Sequence, residues 1–345
     1  MLKNNRISVN FSIVIPNYNG AKFLSDCLNS LTVAIKKCSN SKFEIIIIDN
    51  NSQDESVKLA QDFFDKNKLS NLRSTIYQLR SNSGFASAVN YGINQAKYKW
   101  VVVLNNDLVV KTNWFKIISQ EITSNKNTQI STFFGTVLNK DGTKIESQGF
   151  KYDYSGKCTN ISNGKIFNKN VFLRSTKLQP TELIWGAPAA IIVYNKNILK
   201  KIGLFDQDFF AYQEDVDLAF RLNKLGYLTQ YIPSAISYHF GGGTSNRMGT
   251  LRYRMNVRNW AYLIVKNYSF KEFWSNFFSI IIERFKLLSE LIIKTVEIYK
   301  FKSLIILPFD LIKTFFEIIF NLPKMLHKRH QIQKMLKSVN KLSTL

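Results

Sequence analysis

Cysteine is scarce in this 345-residue sequence. Its three cysteines are widely spaced and form no Cys-x-x-Cys pair. They are Cys27, Cys38 and Cys158. An odd number of scattered thiols excludes a disulfide framework and a cysteine zinc site, and it predicts a reducing, cytoplasmic environment.

Long uncharged apolar runs are also missing from the sequence. No stretch reaches the roughly 18 residues that a membrane-spanning helix requires, and no signal-peptide core precedes the first apolar segment. The sequence therefore predicts a protein without membrane spans.

Acidic residues are few compared with basic ones. There are 24 Asp and Glu against 47 Lys and Arg, which gives a formal net charge of +23. This imbalance favours an anionic partner: nucleic acid, a membrane surface or a phosphorylated substrate. The Phe- and Ile-rich, Lys-rich composition is also typical of an AT-rich genome, which would explain the charge without any function. No helix-turn-helix, zinc-finger or RNA-recognition signature occurs, so we expect no nucleic acid partner.

The first third of the chain alternates between buried strands and helices. Strands are predicted at 11–15 (stopped by Pro16), 44–48, 74–79 and 100–104, and helices at 24–35, 54–67 and 83–96. Continuous apolar strands separated by helices predict an α/β fold with a parallel sheet covered on both faces. We expect loops and short antiparallel strands over 130–180, and helices beyond about 250.

Polar residues come directly after three of these strands. These positions lie at the carboxyl ends of the strands, where open α/β sheets bind ligands. They are Asn17-Tyr18-Asn19, Asp49-Asn50-Asn51 and Asn106-Asp107. Asp107 could hold Mg²⁺ or Mn²⁺, and Asp49 could accept a hydrogen bond from a nucleotide base. The alternative is a set of ordinary strand-ending turns and helix caps, with Ser52 capping the second helix.

Three carboxylates lie within four residues at Glu214, Asp215 and Asp217. If a helix begins here, the acids favour its N-terminus, and Asp217 is spaced to pair with Arg221. That leaves Asp215 or Glu214 as a general base.

His239 precedes the glycine run 241–243, which would let backbone approach a ligand closely. The alternative is an ordinary hydrogen-bonded histidine. The run is not a phosphate-binding P-loop, and no helix-opening Rossmann fingerprint occurs. No Ser/His/Asp nucleophile pattern is present either.

In order along residues 8–245, these segments resemble the family 2 glycosyltransferases, especially the rhamnosyltransferase-like group with a GT-A fold. The matching segments are SIVIPNYNG (12–20), EIIIIDNNS (44–52), NSGFASAVNYG (82–92), LNND (104–107), GAPAA (186–190), GLFD (203–206) and YQEDVDL (212–218). The resemblance implies a Rossmann-like, mostly parallel mixed sheet flanked by helices, with a C-terminal helical extension.

The resemblance also implies roles for individual residues. The implied nucleotide-sugar site comprises Pro16, Asn17, Tyr18, Asp49, Gly84, Asn106 and Asp107. Asn105 replaces the first acid of the family's Asp-x-Asp motif, so Asp107 and His239 are the expected ligands of Mg²⁺ or Mn²⁺. Asp215 corresponds to the general base, and Trp185, Gly186 and Glu214 to the acceptor side.

The implied activity is an inverting, metal-dependent transfer of rhamnose or another hexose from a nucleotide diphosphate sugar. The expected acceptor is a hydroxyl of a glycan or lipid-linked glycan in surface polysaccharide synthesis. Residues 1–250 would form the catalytic domain, with a donor half at about 8–110 and an acceptor half at about 180–245. The alternatives are a polyprenyl-phosphate sugar transferase and a non-catalytic nucleotide-sugar-binding or scaffold protein.

Residues 251–345 form a basic, apolar extension. Phe277, Ile281, Phe285, Leu288 and Ile292 recur at helical spacing, and Pro308 and Pro323 are expected to break the later helices. The basic end runs from Lys324 to Lys341. We expect a peripheral anchor on the anionic inner face of the cell membrane; the alternative is an extension packed on the catalytic domain.

Overall fold

The computed structural model describes residues 8–168, 182–241 and 250–342. These residues divide into two compact units. Unit 1 comprises the described residues within Met1–Lys151, Asn160–Phe205 and Tyr227–Gly243. Unit 2 comprises those within Tyr152–Thr159, Asp206–Gly226 and Thr244–Leu345. Residues 206–226 group with the C-terminal helices in this division, and the catalytic domain over 1–250 stays a prediction.

Unit 1 is built on a mixed sheet with the strand order β10-β12-β6-β11-β4-β1-β2-β3, to which β5 and β7 add at β12 and β6. The strands are β1 Phe11–Asn17, β2 Phe43–Asp49, β3 Leu72–Gln78, β4 Trp100–Leu104, β5 Leu108–Val110, β6 Ile130–Asn139, β7 Ile145–Ser147, β10 Leu183–Ile184, β11 Ile191–Asn195 and β12 Leu228–His239. Two further strands, β8 Phe150–Tyr152 and β9 Cys158–Asn160, pair with each other.

One half of the sheet is parallel and positions the strand ends that carry polar residues. β1 pairs in parallel with β2 on one side and with β4 on the other, and β3 pairs in parallel with β2. Every residue of β2 is buried, as expected for a strand covered on both faces. The chain thus reverses its strand order between β1 and β4, the kind of point at which α/β sheets bind ligands.

Pro16 does not end the first strand as predicted. β1 continues through it to Asn17. The Asn17 carbonyl accepts a hydrogen bond from the Asn50 N–H, so the backbone groups of Asn17 point toward β2. Backbone groups of successive strand residues point to opposite sides, so the nitrogen of Pro16 points toward β4. Because the β1–β4 register stops at Val14, the missing N–H of the proline interrupts no sheet hydrogen bond.

A long strand of the other half of the sheet, β6, lies in the region 130–180 where loops and short antiparallel strands were expected. β6 is a ten-residue strand and is almost entirely buried. It pairs in parallel with β12, about 100 positions along the chain. A Cβ on Gly135 would lie 1.9 Å from the carbonyl oxygen of Ala235, so the two strands approach closely there. The prediction is confirmed for β7, a short strand antiparallel to β6. It is wrong for β6, because partners this distant leave no local pattern.

Helices cover the sheet of unit 1. They are α1 Ala21–Lys36, α2 Ser56–Lys66, α3 Phe85–Gln95, α4 Trp114–Ser124 and α5 Lys196–Ile202. The predicted helices correspond to α1, α2 and α3. The predicted α/β class with a mixed sheet and flanking helices is confirmed.

Unit 2 contains α6 Glu214–Lys224, α7 Leu251–Asn267, α8 Phe270–Ser275, α9 Phe277–Tyr299 and α10 Ser303–Leu342. α10 runs through Pro308 and Pro323 without a break, contrary to expectation. It is tied to α7 because Arg254 contacts both Asp310 and Glu317, at 3.3 and 3.2 Å. Among the described helices, none is both long and apolar enough to cross a membrane.

Candidate active site

Three strand ends of unit 1 are joined by side-chain hydrogen bonds through Asn17. The Asn106 Nδ2 group donates to Asn17 Oδ1 at 2.7 Å, and Asn17 Nδ2 donates to Asp49 Oδ1 at 2.9 Å. The contacts follow from the topology, because β1 lies between β2 and β4 and all three end at the same edge. The structure therefore brings together three residues of the expected nucleotide-sugar site.

Asp49 is held rigidly within this network. It is 2 % exposed, and it also accepts hydrogen bonds from the Oγ and backbone N–H of Ser52, at 2.6 and 3.0 Å. The interpretation of Ser52 as a helix cap is wrong, since α2 begins only at Ser56. The Ser56 N–H is bonded instead to the carboxylate of Asp54, at 3.1 Å.

Gly20 is required for the close approach of the network to α1. A Cβ at this position would lie 2.1 Å from Asn106 Nδ2 and 2.2 Å from Asn17 Oδ1. Any larger residue would separate these two atoms, which are hydrogen-bonded to each other.

Asn50 also belongs to this edge, in a role that was not predicted. Its Oδ1 accepts from the Ser83 N–H at 2.9 Å, and its Nδ2 donates to the Gly84 carbonyl at 3.1 Å. Gly84 has φ 84° and ψ 170°, a conformation that only glycine adopts readily. The end of β2 thus fixes the start of α3. The signal was present in the DNNS segment, but the asparagine was taken for a turn residue.

Asp107 and His239 meet because β5 pairs with the end of β12, where His239 lies opposite Leu108. His239 Nε2 lies 3.3 Å from Asp107 Oδ1, and His239 Nδ1 lies 2.7 Å from Glu146 Oε2. Glu146 was missed because it lies on β7, inside the region expected to form loops.

The carboxylate of Asp107 carries an orphaned oxygen. Its Oδ1 is buried and, among the described residues, receives no well-aligned hydrogen bond, since the His239 contact is an ion-pair distance only. Such an oxygen is unusual unless a ligand or an ion uses it. Mn²⁺ and Mg²⁺ bind carboxylate oxygens, and imidazole is a common ligand of transition metals. Asp107 and His239 therefore fit a divalent cation, although the described residues hold no group of three or more acidic, histidine or cysteine side chains suited to a metal.

The protonation of His239 is set by its two carboxylate neighbours. Burial alone would lower its pKa, but the contacts with Asp107 and Glu146 raise it to about 10. Without a metal, the imidazole is therefore a cation at neutral pH. A histidine binds a metal through its neutral imidazole, so a cation bound at Nε2 would displace a proton.

In unit 2, the three clustered acids lie in the first turn of α6, as predicted. Asp217 is fully buried and contacts Arg221 at 2.8 Å and Lys266 at 2.9 Å. Burial would raise its pKa, yet the two cations hold it below the ordinary value. Asp217 is thus fully committed to structural contacts, as the spacing to Arg221 indicated.

The other two acids of α6 differ from Asp217 and from each other. Glu214 is buried, and its Oε2 has no hydrogen-bond partner in the part of the chain that the structure describes. Burial and the neighbouring charge of Asp215 raise the pKa of Glu214 well above its ordinary value. Asp215 is half-buried, and its Oδ1 accepts from the Val216 N–H at 2.8 Å.

The remaining predicted site residues lie in unit 1. Pro16 and Tyr18 are half-buried at the end of β1. Trp185 and Gly186 follow β10, where the Gly186 carbonyl accepts from the Phe150 N–H at 2.7 Å. Gly241 is described, whereas Gly242 and Gly243 of the glycine run lie outside the described residues.

The family model described as glycosyl transferase family 2 matches residues 12–203. This chain belongs to that family. The match includes Asn17, Asp49, Asn106 and Asp107. The rhamnosyltransferase-like subgroup stays a prediction.

Individual relatives are distant. The glycosyltransferase GlyG of Streptococcus pneumoniae is 28% identical over 143 residues, which are 41% of this chain and 42% of the relative. A glycosyltransferase of Rickettsia typhi is 28% identical over 65% of this chain and 62% of its own. The chain thus matches less than two thirds of the length of these curated relatives.

Two solved structures show the same fold. The mannosyltransferase PcManGT of Pyrobaculum calidifontis, in complex with GDP-Man and Mn²⁺, aligns with a TM-score of 0.53 at 12% identity, over 97% of this chain and 88% of its own. Staphylococcus aureus TarS 1–349, in complex with UDP-GlcNAc, aligns with a TM-score of 0.52 at 16% identity, over 96% and 91%. The predicted GT-A fold is therefore confirmed.

The His239 ion pairs predict a definite pH response. In protein kept in excess chelator, the imidazole should titrate near pH 10, and Glu146→Gln should move its pKa toward the ordinary value of about 6.5. The folded pKa is raised, so the stability that these pairs contribute should be complete below about pH 6.5 and lost as the pH rises toward 10. NMR titration of the imidazole measures this directly, and a wild-type value near 6.5 would show that the carboxylates do not hold the proton.

Proposed function

We propose that this chain transfers a sugar from a nucleoside diphosphate donor to a hydroxyl of a glycan or lipid-linked glycan acceptor, with inversion at the anomeric carbon. The observation that carries the proposal is the edge of unit 1, where the Asn106–Asn17–Asp49 network lies beside the orphaned oxygen of Asp107. Membership of glycosyl transferase family 2 supports the same activity.

The donor is proposed to be a nucleoside diphosphate hexose, such as a rhamnose donor. The structure of TarS is a complex with UDP-GlcNAc and that of PcManGT a complex with GDP-Man, which favours this class. Asn17, Tyr18 and Asp49 would hold the nucleoside, and Asn106 and Asp107 the diphosphate. Pro16 and Gly84 shape the same edge.

Asp107 and His239 would hold Mg²⁺ or Mn²⁺, and PcManGT was solved with Mn²⁺. When bound, the ion would neutralise charge that develops on the leaving diphosphate. Glu146 has a separate role: by contacting Nδ1 at 2.7 Å, it turns the ring so that Nε2 faces Asp107. Carboxylates commonly orient metal-binding histidines in this way.

Asp215 is proposed to be the general base. Asp217 is committed to Arg221 and Lys266, and the raised pKa of Glu214 favours its neutral form. Glu214, with Trp185 and Gly186, is instead assigned to the acceptor side. Asp215 would take the proton from the acceptor hydroxyl as that oxygen bonds to the anomeric carbon and the bond to the diphosphate breaks. A single displacement inverts the carbon and needs no covalent intermediate.

We predict that Asp215→Asn lowers kcat by about 10²- to 10⁴-fold, the usual contribution of a general base. Donor binding should be unchanged because the substitution keeps the size of the side chain. Transfer is measured as nucleotide release from a panel of UDP-, GDP- and dTDP-sugars with a glycan acceptor. A variant with near-normal turnover would remove Asp215 from the reaction.

Asp217→Asn is the matched control for this prediction. It breaks the buried ion pair with Arg221 and one of the two that Lys266 forms with Asp217 and Asp206, so it should lower the free energy of unfolding by roughly 3–5 kcal/mol. Denaturant titration distinguishes the two effects, because Asp215→Asn should unfold at nearly the wild-type concentration.

We predict that excess chelator abolishes transfer and that Mn²⁺ or Mg²⁺ restores it. Asp107→Ala should also weaken nucleotide binding measured by calorimetry in the presence of Mn²⁺, since a cation would bridge the protein and the diphosphate. Full activity in chelator would refute a metal requirement. An inactive Asp107→Ala beside a fully active His239→Ala would remove only the histidine from the site.

We also propose that the C-terminal helices attach the protein peripherally to the anionic inner face of the cell membrane. α9 and α10 expose large apolar side chains at helical spacing. The most exposed are Phe278 at 81%, Phe285 at 67%, Ile305 at 79%, Phe309 at 65% and Phe320 at 76%. Such faces suit the boundary between lipid headgroups and acyl chains. Exposed lysines flank them at Lys286, Lys300, Lys302 and Lys313, and each cation near an anionic surface contributes about 1 kcal/mol.

We predict that the protein sediments with phosphatidylglycerol vesicles at low salt and is partly released by high salt. Phe278→Ser with Phe285→Ser should weaken sedimentation while leaving the unfolding midpoint unchanged, because both rings are already exposed. Ile166→Ser is the matched control, since it removes an apolar residue that is 82% exposed in unit 1. If wild type ignores anionic vesicles at low salt, the helices do not bind membrane.

A further inference from the structure

The segment that precedes α6 has an unusual backbone. Phe210, Tyr212 and Gln213 all have positive φ, at 61°, 68° and 69°. The Ala211 N–H donates to the Phe209 carbonyl at 2.7 Å, which with φ 61° and ψ −65° at Phe210 makes a three-residue turn of the rare, strained kind. Non-glycine residues adopt such conformations only where their surroundings enforce them.

This strained segment leads directly into the acidic turn. Gln213 is the N-cap residue of α6, and its side chain makes no capping hydrogen bond. The direction in which Glu214 and Asp215 leave the helix is therefore fixed by the backbone of 209–213 rather than by a local cap.

Asn259 of α7 holds that backbone in place. Its side chain is fully buried, and its Nδ2 lies 2.8 Å from each of three carbonyl oxygens. These belong to Phe209, Ala211 and Tyr212. An asparagine amide has only two N–H groups, so three acceptors share them. A single side chain thus donates hydrogen bonds to carbonyls on both sides of the strained turn.

Arg258 fixes the orientation of the Asn259 amide. Its Nε donates to Asn259 Oδ1 at 3.0 Å, which points Nδ2 toward the turn. Its guanidinium also donates to the Phe209 carbonyl at 3.2 Å and contacts Glu317 of α10 at 3.3 Å. The C-terminal helices are therefore connected to the acidic turn through two adjacent side chains.

We propose that Asn259 is a positioning residue for sugar transfer: it holds the 209–213 backbone strained so that the first turn of α6 presents Asp215 to the acceptor hydroxyl. The inference rests on the proposed function, because it takes Asp215 as the base. In this role α7 positions the base for the reaction as well as packing against its neighbouring helices.

The test compares Asn259→Asp with Asn321→Ala. The first replaces the donating amide by a carboxylate of the same shape that repels the three carbonyls. It should lower kcat about 10²-fold, because small displacements of a catalytic group have effects of that size. Nucleotide affinity should stay within about twofold of wild type. The acid limb of the kcat–pH profile should also shift, since the carboxylates of α6 would change surroundings.

Asn321→Ala removes one hydrogen bond of the same length to a backbone carbonyl, that of Glu317 within α10. It should leave kcat and the pH profile unchanged. The proposal is overturned if Asn259→Asp retains wild-type kcat, or if its loss of activity only follows a smaller folded fraction.

Hydrogen exchange separates this inference from the proposed function. If wild type transfers no sugar from the panel, the proposed function fails and kinetics no longer reports on Asn259. Amides of residues 210–217 should then still exchange faster in Asn259→Asp than in Asn321→Ala. Equal exchange in the two variants would show that Asn259 does not hold the turn.

Discussion

The proposed donor site depends on the two hydrogen bonds that the Asn17 carboxamide makes to neighbouring strand ends. Asn17 has one of few side chains that can donate to one strand end and accept from another, and here it donates to Asp49 and accepts from Asn106. An aspartate could not donate, and a leucine could do neither. Because Asn17 is 2 % exposed, leaving its amide oxygen or its amide nitrogen without a hydrogen bond would cost roughly 1–3 kcal/mol of stability. These hydrogen bonds link the ends of β2, β1 and β4 and leave no volume for a side chain at Gly20.

The position of Asp107 follows from the same constraint, because it is the residue after Asn106. Its partner His239 is positioned differently, because it is the last residue of β12 in the other half of the sheet. The β5–β12 register sets His239 opposite Leu108, and the β6–β7 pair brings in Glu146. A slip of one residue in β12 would turn His239 to the opposite face. The proposed metal site is therefore specified by strand pairing across the whole sheet.

Local signals account for what could be predicted from the sequence. The buried strands of the parallel half and α1 to α3 have their own periodicity, and the polar residues at the strand tips follow from chain order alone. β6, Glu146 and Asn259 were missed because each depends on a partner tens of residues away. Pro16 was misjudged for a related reason: whether a proline ends a strand depends on which neighbour its nitrogen faces, and that is a property of the assembled sheet.

The acids of α6 show most clearly what spacing cannot decide. Glu214, Asp215 and Asp217 share one helical turn and one sequence motif, yet their surroundings separate them. Asp217 contacts two buried cations, so removing its charge would break its ion pair with Arg221 and one of the ion pairs of Lys266, which also contacts Asp206. Glu214 is buried beside Asp215, and both its burial and that neighbouring charge favour its neutral form. Asp215 keeps partial exposure between these extremes. A base must be ionised and must also reach solvent or substrate. Of the three, Asp217 meets only the first condition and Glu214 meets neither. The proposal that Asp215 is the base therefore rests on how α6 packs against the C-terminal helices.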